Sequence, residues 1–218
     1  FLKQRKCFAN IKSIYFKRDG IVYFSGYGKQ LNLNDFKKIY RAYKPGNIPY
    51  ELYWNNNARL YEHPNWKEIK VVRGTFSNFC PYRCKFCVSA SFMSFSYGGK
   101  LSGRINFYIL PVKNLLEFLL NISNACRDLQ TFIFDDDNLS LNLEYLRKLC
   151  CGIIKLKKEN KLARDLEFIC QGRPDVFAHA GKKILSLMKE AGFRMIMYGV
   201  ESFSNKTLEY FGKKINKE

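Results

Sequence analysis

The sequence predicts an α/β fold in which strands alternate with helices and run parallel to one another, and three observations carry that prediction. From residue 67 onward, short apolar runs of strand length alternate with longer segments whose apolar residues recur at helical spacing. Each strand-like run is followed at once by a polar cluster, which is where parallel strands gather functional groups at their carboxyl ends. The chain has 218 residues, of which 47% are hydrophobic, so a substantial core can be buried in one domain or in one domain and a smaller piece.

Residues 1–66 are rich in aromatics and read as loops and short strands. Within them "SIYFKRDGIVYFSGY" predicts a β-hairpin turning at Asp19-Gly20. "YKPGNIPY" (43–50) is punctuated by Pro and Gly and predicts a connector. "EIKVVRG" (68–74) is a short buried strand that leads into "SNFCPYRCKFCVSA" (77–90). A helix is predicted over 111–127, then a strand over 129–134 that ends in Asp135, Asp136 and Asp137. Ser140 is placed to cap a helix whose inner face is Leu143, Leu146, Leu149 or Cys150, and Ile153. "LEFICQ" (166–171) is a strand followed by "GRPD", which contains Arg173. Residues 182–192 predict a helix stopped by Gly192, and 193–200 a strand followed by Glu201 and Ser202. A last helix starts at about residue 203. The chain begins at Phe1 and ends in the charged run "GKKINKE", so it reads as part of something longer: a linker-like segment over 1–66 and a core domain, incomplete at its C-terminus, over 67–218.

Lys and Arg total 37 against 19 Asp and Glu, a net charge of +18. Such a balance suits an anionic partner such as RNA, a phosphorylated metabolite or a membrane surface. The lysines are scattered rather than blocked, which favours solvated faces over a nucleic-acid site. Apolar runs such as "FYILPV" (107–112) are far too short to span a bilayer, and no signal-peptide pattern is visible. Of eight cysteines, Cys7, Cys126, Cys150, Cys151 and Cys170 lie apart in apolar surroundings, as expected of reduced, packed thiols in a cytoplasmic protein.

The other three, Cys80, Cys84 and Cys87, share one loop at spacings of three residues and then two. A structural zinc site wants four ligands, usually as two pairs; the fourth would have to be a distant Cys170 or His63. Three close thiols with no metal would be exposed to oxidation. A cluster of four irons held by three thiolates suits the count better and leaves one iron without a protein ligand. Arg83 and Lys85 lie between the cysteines and favour the thiolate form, while Phe86 offers an apolar surface and a backbone carbonyl beside the open iron.

C-x3-C-x2-C with an aromatic before the last Cys resembles the signature of the radical S-adenosylmethionine (radical SAM) superfamily. "VVRGTFSNFCPYRCKFC", "FIFDDDNL", "FICQGRPDVF" and "LMKEAGFRMIMYGVES" are similar to successive blocks of the group that often carries an upstream cobalamin-binding domain. "ARLYEHPNWKEIKVVRG" is similar to the connector preceding the barrel in that group. Thr75 departs from the pattern, standing where many relatives have Cys or another small residue, with two extra residues before Cys80. The resemblance implies a partial (βα)6 TIM-like barrel of which about four βα units are present. It implies a [4Fe-4S] cluster on Cys80, Cys84 and Cys87, and S-adenosylmethionine bound by Phe86 (adenine), Asp136 and Asp137 (ammonium), Glu201 with Ser202 (ribose), and Lys213 (carboxylate). Arg173 would meet the carboxylate or the substrate. The implied activity is reductive cleavage of S-adenosylmethionine to a 5′-deoxyadenosyl radical, with an electron donor of flavodoxin or ferredoxin type. Methyl transfer or rearrangement with cobalamin, held by a domain outside this chain, extends it. Two alternatives stand beside it: a basic RNA-binding module stabilised by zinc or an iron–sulfur cluster, and a methylthiotransferase acting on tRNA or protein. The "GYG" of 26–28 and "YGG" of 97–99 lack the strand–loop–helix setting of a phosphate loop. His63 and His179 read as loop or surface residues.

Overall fold

The computed structural model describes residues 10–29, 31–60, 70–89, 106–213 and 215. His63, Cys7 and the "YGG" of 97–99 lie outside the described residues.

The predicted hairpin is formed by β1 (Tyr15–Arg18) and β2 (Ile21–Phe24), paired antiparallel with Tyr15 opposite Phe24 and Arg18 opposite Ile21. Asp19 (φ 50°) and Gly20 (φ 80°) are both left-handed, the geometry a two-residue hairpin turn demands. Cross-strand ring pairs, Tyr15 with Phe24 at 4.7 Å and Phe16 with Tyr23 at 5.6 Å, complete it.

The segment expected to be mostly loop contains two helices, α1 (Leu33–Ala42) and α2 (Tyr50–Leu60). Asn32 caps α1, its side chain accepting from the N–H groups of Asn34 and Asp35 at 2.8 and 3.0 Å, while Asp35 accepts from the Asn32 N–H. This reciprocal box was present in the sequence as N-L-N-D, with Asp in place of the usual Glu or Gln. Phe36 and Tyr40 of α1 pack on the core, and Tyr40 edges the Phe118 ring at 5.6 Å. On α2, Trp54 donates its indole N–H to the Val71 carbonyl at 2.7 Å. Phe36, Tyr40, Tyr43, Tyr50 and Trp54 are therefore packing residues of the sheet's surroundings, whereas Tyr15, Tyr27 and Tyr53 are exposed.

Four parallel strands follow in the order β3 (Val71–Gly74), β4 (Thr131–Phe134), β5 (Glu167–Gly172) and β6 (Phe193–Tyr198). They neighbour one another in chain order, as in a (βα) barrel. The crossovers carry α3 (Val112–Ala125), α4 (Leu143–Lys158) and α5 (Pro174–Ala191), the last bent at Gly181. One face of the sheet, with Val72, Phe132, Phe134, Phe168 and Cys170, is buried in one cluster with Leu115, Leu119 and Ile122 of α3, Leu146, Leu149 and Ile153 of α4, and Met188 of α5. Each such side chain removed from water is worth about 1.5–3 kcal/mol. The other face is open; Arg73, Ile133, Ile169 and Met195 line a cavity of about 530 Å³ that Trp54 closes on one side. No helix among the described residues is long and apolar enough to cross a membrane.

Three local expectations are corrected. Asn142, not Ser140, caps α4, accepting from the Tyr145 N–H at 3.0 Å; Ser140 is buried in the preceding turn and donates to Asn138 at 2.6 Å. Cys151 is exposed on α4, while Cys126, Cys150 and Cys170 are buried, because adjacent helical positions point some 100° apart. The helix placed over 182–192 begins at Pro174. Gly192 does stop it, at φ 104°. A Cβ there would stand 2.9 Å from the Leu166 carbonyl and 2.5 Å from the Lys157 ammonium bonded to that carbonyl. Gly192→Ala is expected to cost about 2 kcal/mol, from backbone strain plus the clash, read as a lower denaturation midpoint at an unchanged m-value.

Candidate functional site

The polar groups after the four strands converge at the carboxyl end of the sheet, and the chain leaving β3 is braced first. Ser77 bridges Ile109, the Asn78 N–H reaches the Tyr108 carbonyl at 3.1 Å, and the Leu110 N–H reaches Phe76 at 2.8 Å. Beneath this ribbon lies Asp136, wholly buried. Its Oδ1 accepts from the N–H of Phe76 at 2.9 Å and from both the N–H and the hydroxyl of Ser77, at 2.5 and 2.6 Å. Burial pushes its carboxyl above the usual range, against the lowering effect of those bonds. Asp136 was expected on a cofactor ammonium. In the structure its Oδ1 is taken by the protein's own donors, so that Asp136 clamps the approach to the cysteine loop. Oδ2 finds no hydrogen bond among the described residues, and neither does the Asn138 amide nitrogen.

Asp137, one residue on, is exposed and accepts from the Ser89 hydroxyl at 2.5 Å. Ser89 also receives the Cys80 N–H at 3.5 Å, which ties the two ends of the cysteine loop to β4. Asp135 takes a two-pronged bond from Arg73 at 2.6 and 2.8 Å.

Cys80, Cys84 and Cys87 are free and half-buried, with a turn closed by the Cys87 N–H on the Cys84 carbonyl at 3.0 Å. Burial is the main influence on Cys80 and raises its thiol, with smaller upward effects from Asp137 and the other two cysteines. Arg83 and Lys85, expected to favour the thiolate, are both exposed and do not figure among the influences on Cys80; their charge is spent in water. Among the described residues no three His, Cys, Asp or Glu side chains converge on a single ion. Cys170, weighed as a distant zinc ligand, is buried in the core with its thiol pushed up to about 12, which opposes metal binding.

The loop's far side rests on the chain after β6. The Lys85 N–H donates to the Phe211 carbonyl at 2.8 Å, and the Phe86 ring meets Phe211 at 5.1 Å. Phe86 nonetheless remains 47% exposed. Beside it Lys213, almost wholly buried, donates to Glu201 at 2.8 Å and stands 5.6 Å from the Phe86 ring centre. Glu201 is held at φ 65°, a left-handed conformation costly for a residue with a side chain. Gly199 makes room for the pair, since a Cβ there would lie 2.5 Å from Glu201 Oε1 and 2.9 Å from Lys213 Nζ. Ser202 accepts from the Ser204 N–H at 3.1 Å and so opens the turn before α6 (Asn205–Tyr210).

Arg173 is neither a surface pair nor a free cation. It is buried, forks onto Asp175 at 3.1 and 3.0 Å, donates to the Lys213 carbonyl at 2.8 Å, and lies 4.0 Å over the Tyr82 ring. Sequence reasoning missed Tyr82, Ser89, Gly199 and Phe211. Tyr82 alone had a signal, its place between two ligand-type cysteines. The open end of the site is therefore bordered by three thiols, an exposed aromatic ring and one carboxylate–ammonium pair. His179 lies exposed on α5, away from that set.

The fold and this site define a protein of the radical SAM class. The sequence pattern of the radical SAM superfamily matches residues 75–218, and the chain belongs to that superfamily. Over 140 residues it is 27% identical to PH0819, an uncharacterized methyltransferase of Pyrococcus horikoshii; the match covers 64% of this chain and 26% of that protein. Among solved structures it is similar to OxsB, a cobalamin-dependent S-adenosylmethionine radical enzyme. With aqua-cobalamin bound the TM-score is 0.62, and with S-adenosylmethionine also bound it is 0.60, in both cases at 18% identity over 99% of this chain and 28% of OxsB. The likeness to OxsB is one of fold. The chain spans little more than a quarter of the length of these relatives.

Proposed function

We propose that residues 67–218 are the core of a radical SAM enzyme, preceded by a connecting segment over 1–66, and that Cys80, Cys84 and Cys87 hold a [4Fe-4S] cluster. The carrying observation is the set of three free thiols in one loop that is tied to the chain after β4 through Ser89 and Asp137 and to the chain after β6 through Phe211, with the Glu201–Lys213 pair beside its Phe86 ring. When bound, such a cluster supplies an open iron for the amino and carboxylate groups of S-adenosylmethionine and the electron that cleaves it to a 5′-deoxyadenosyl radical.

This chain's residues bind and orient. Phe86 presents its exposed ring to the adenine. Lys213 supplies the ammonium donor for the cofactor's carboxylate, and Glu201 the two-lobed acceptor for its pair of ribose hydroxyls. Asp137 is the exposed carboxylate on the ammonium side, and Ser202 shapes the turn that carries Glu201. The electron comes from a flavodoxin or ferredoxin type of donor. Cobalamin-dependent methyl transfer is the favoured subclass, because PH0819 is named a methyltransferase and OxsB is described as cobalamin-dependent.

The test is anaerobic reconstitution of the intact protein with iron and sulfide. A brown protein with about four irons that makes 5′-deoxyadenosine on reduction supports the proposal; a colourless, iron-free one overturns it. Gly199→Ala probes the cofactor side. Its Cβ meets only the ends of two flexible side chains, so stability is expected to fall by less than about 1 kcal/mol. S-adenosylmethionine affinity, measured by titration calorimetry, is expected to fall about tenfold, since the ion pair is forced apart.

A further inference from the structure

The Arg173 guanidinium is the one described cation that touches, at once, the cysteine loop, the end of β5 and the segment after α6. Its face lies 4.0 Å from the Tyr82 ring centre, and Tyr82 stands between Cys80 and Cys84. Its edge serves the other two: Nε and Nη2 fork onto Asp175 at the first turn of α5, and Nη2 also reaches the Lys213 carbonyl. Its own N–H reaches the Ser140 hydroxyl after β4 at 3.5 Å. A guanidinium can do this because its plane stacks while its edge donates; an ammonium has no flat face and no fork. The side chain is 8% exposed, so the contacts are shielded from water.

We infer that Arg173 is a positioning residue: by stacking on Tyr82 while holding the Lys213 carbonyl, it fixes the distance between the three thiols and the Phe86–Glu201–Lys213 cleft. The inference rests on the cluster reading but makes a claim of its own. A ligand on the cluster must reach both the cysteine loop, which also carries Phe86, and the Glu201–Lys213 pair, and these stretches lie more than a hundred residues apart in sequence. Other loop-to-segment ties among the described residues include the Lys85 N–H to Phe211, the Phe86–Phe211 ring contact, the Lys85 ammonium 5.2 Å over the Tyr210 ring and the Lys213 ammonium 5.6 Å from the Phe86 ring centre. These engage the loop at Lys85 and Phe86, whereas the Arg173 clasp engages it at Tyr82, before Cys84.

The experiment uses the full-length protein with Arg173→Lys, Tyr82→Leu, the double variant, and Tyr82→Phe, which keeps the ring. In the metal-free proteins, hydrogen exchange is followed at the Lys85 amide, bonded to the Phe211 carbonyl, and at the Cys87 amide, bonded to the Cys84 carbonyl within the loop. Arg173→Lys and Tyr82→Leu are each expected to speed exchange about tenfold, the factor a shielded stacking contact is worth, with Tyr82→Phe unchanged and the double variant no faster than either single one. In the reconstituted proteins iron content stays at the wild-type level, while the change in the reduced cluster's paramagnetic resonance spectrum on adding S-adenosylmethionine is weakened. Wild-type exchange rates in Arg173→Lys, or singles whose effects add in the double variant, overturn the clasp and leave the cluster reading standing. A wild-type protein that takes up no iron overturns the cluster reading, and the positioning role falls with it.

Discussion

Replacing Cys84 with Ser is expected to abolish the chemistry while leaving the protein folded. Cys84 is half-buried, free, and bonded to its neighbours through its backbone carbonyl, which the substitution keeps. Serine is isosteric, so the melting temperature of the metal-free protein should hold within the spread of neutral surface changes, about 0.5 kcal/mol. The metal side differs sharply. A serine hydroxyl does not ionise near neutral pH, and three thiolates are the fewest that can grip a cube of four irons. Altering residues that merely support ligands costs about 10–100-fold in metal affinity or activity; loss of a ligand should exceed that. Iron content after reconstitution is expected to collapse, with 5′-deoxyadenosine formation down by more than about 100-fold. Cys170→Ser is the matched control. That thiol is buried in the core, so the hydroxyl should cost stability, about 1–3 kcal/mol, while iron uptake persists. If Cys170→Ser instead lost the metal and Cys84→Ser kept it, the assignment of the loop would fail.

The sequence made the sheet and its polar end legible for physical reasons that also explain what it hid. Parallel strands covered by helices read as short apolar runs, and β3, β4, β5 and β6 each stop within about two residues of where such a run gives way to Gly, Asp or Glu. The hairpin followed from Asp19-Gly20, a pair whose backbone preferences leave little choice. The helices α1 and α2 were obscured because their aromatics, Tyr40, Tyr50 and Trp54, suit strand and loop as well as helix, and only tertiary packing decides. The three cysteines stood out by their spacing, and the structure keeps them free and half-buried in one loop. Asp136 did not: three consecutive aspartates look alike in sequence, yet one forks with Arg73, one is buried under Ser77, and one faces the Ser89 hydroxyl. Their difference is set by strand alternation and by what each face meets. Arg173 was hidden in the same way, because a residue's partners forty and ninety positions away leave no local trace.

Asp136→Ala is expected to be the most damaging substitution outside the cysteines. The wild-type carboxylate satisfies two backbone N–H groups and one hydroxyl that have no water to turn to. Alanine strands all three, at roughly 1–3 kcal/mol for each unsatisfied buried donor, less what is recovered by not burying a carboxylate. A net loss of about 3 kcal/mol follows, with the loop less able to retain iron. Asp136→Asn separates shape from charge. Its oxygen can keep the three bonds, while its amide group takes the place of Oδ2, which makes no hydrogen bond among the described residues. The variant should therefore lose about 1 kcal/mol or less near neutral pH. The sign of the pH dependence distinguishes the two effects. Burial raises the Asp136 value above its ordinary 3.8, so the fold favours the protonated carboxyl, and that contribution is present at low pH and lost as pH climbs through the raised value. The wild-type protein should accordingly lose stability relative to Asp136→Asn as pH rises from about 4. Denaturant melts of both proteins across that range would show it. A constant gap would mean that the carboxylate is not held in a desolvated site, and an Asp136→Ala protein as stable as wild type would mean that the ribbon entering the cysteine loop is supported by something other than this side chain.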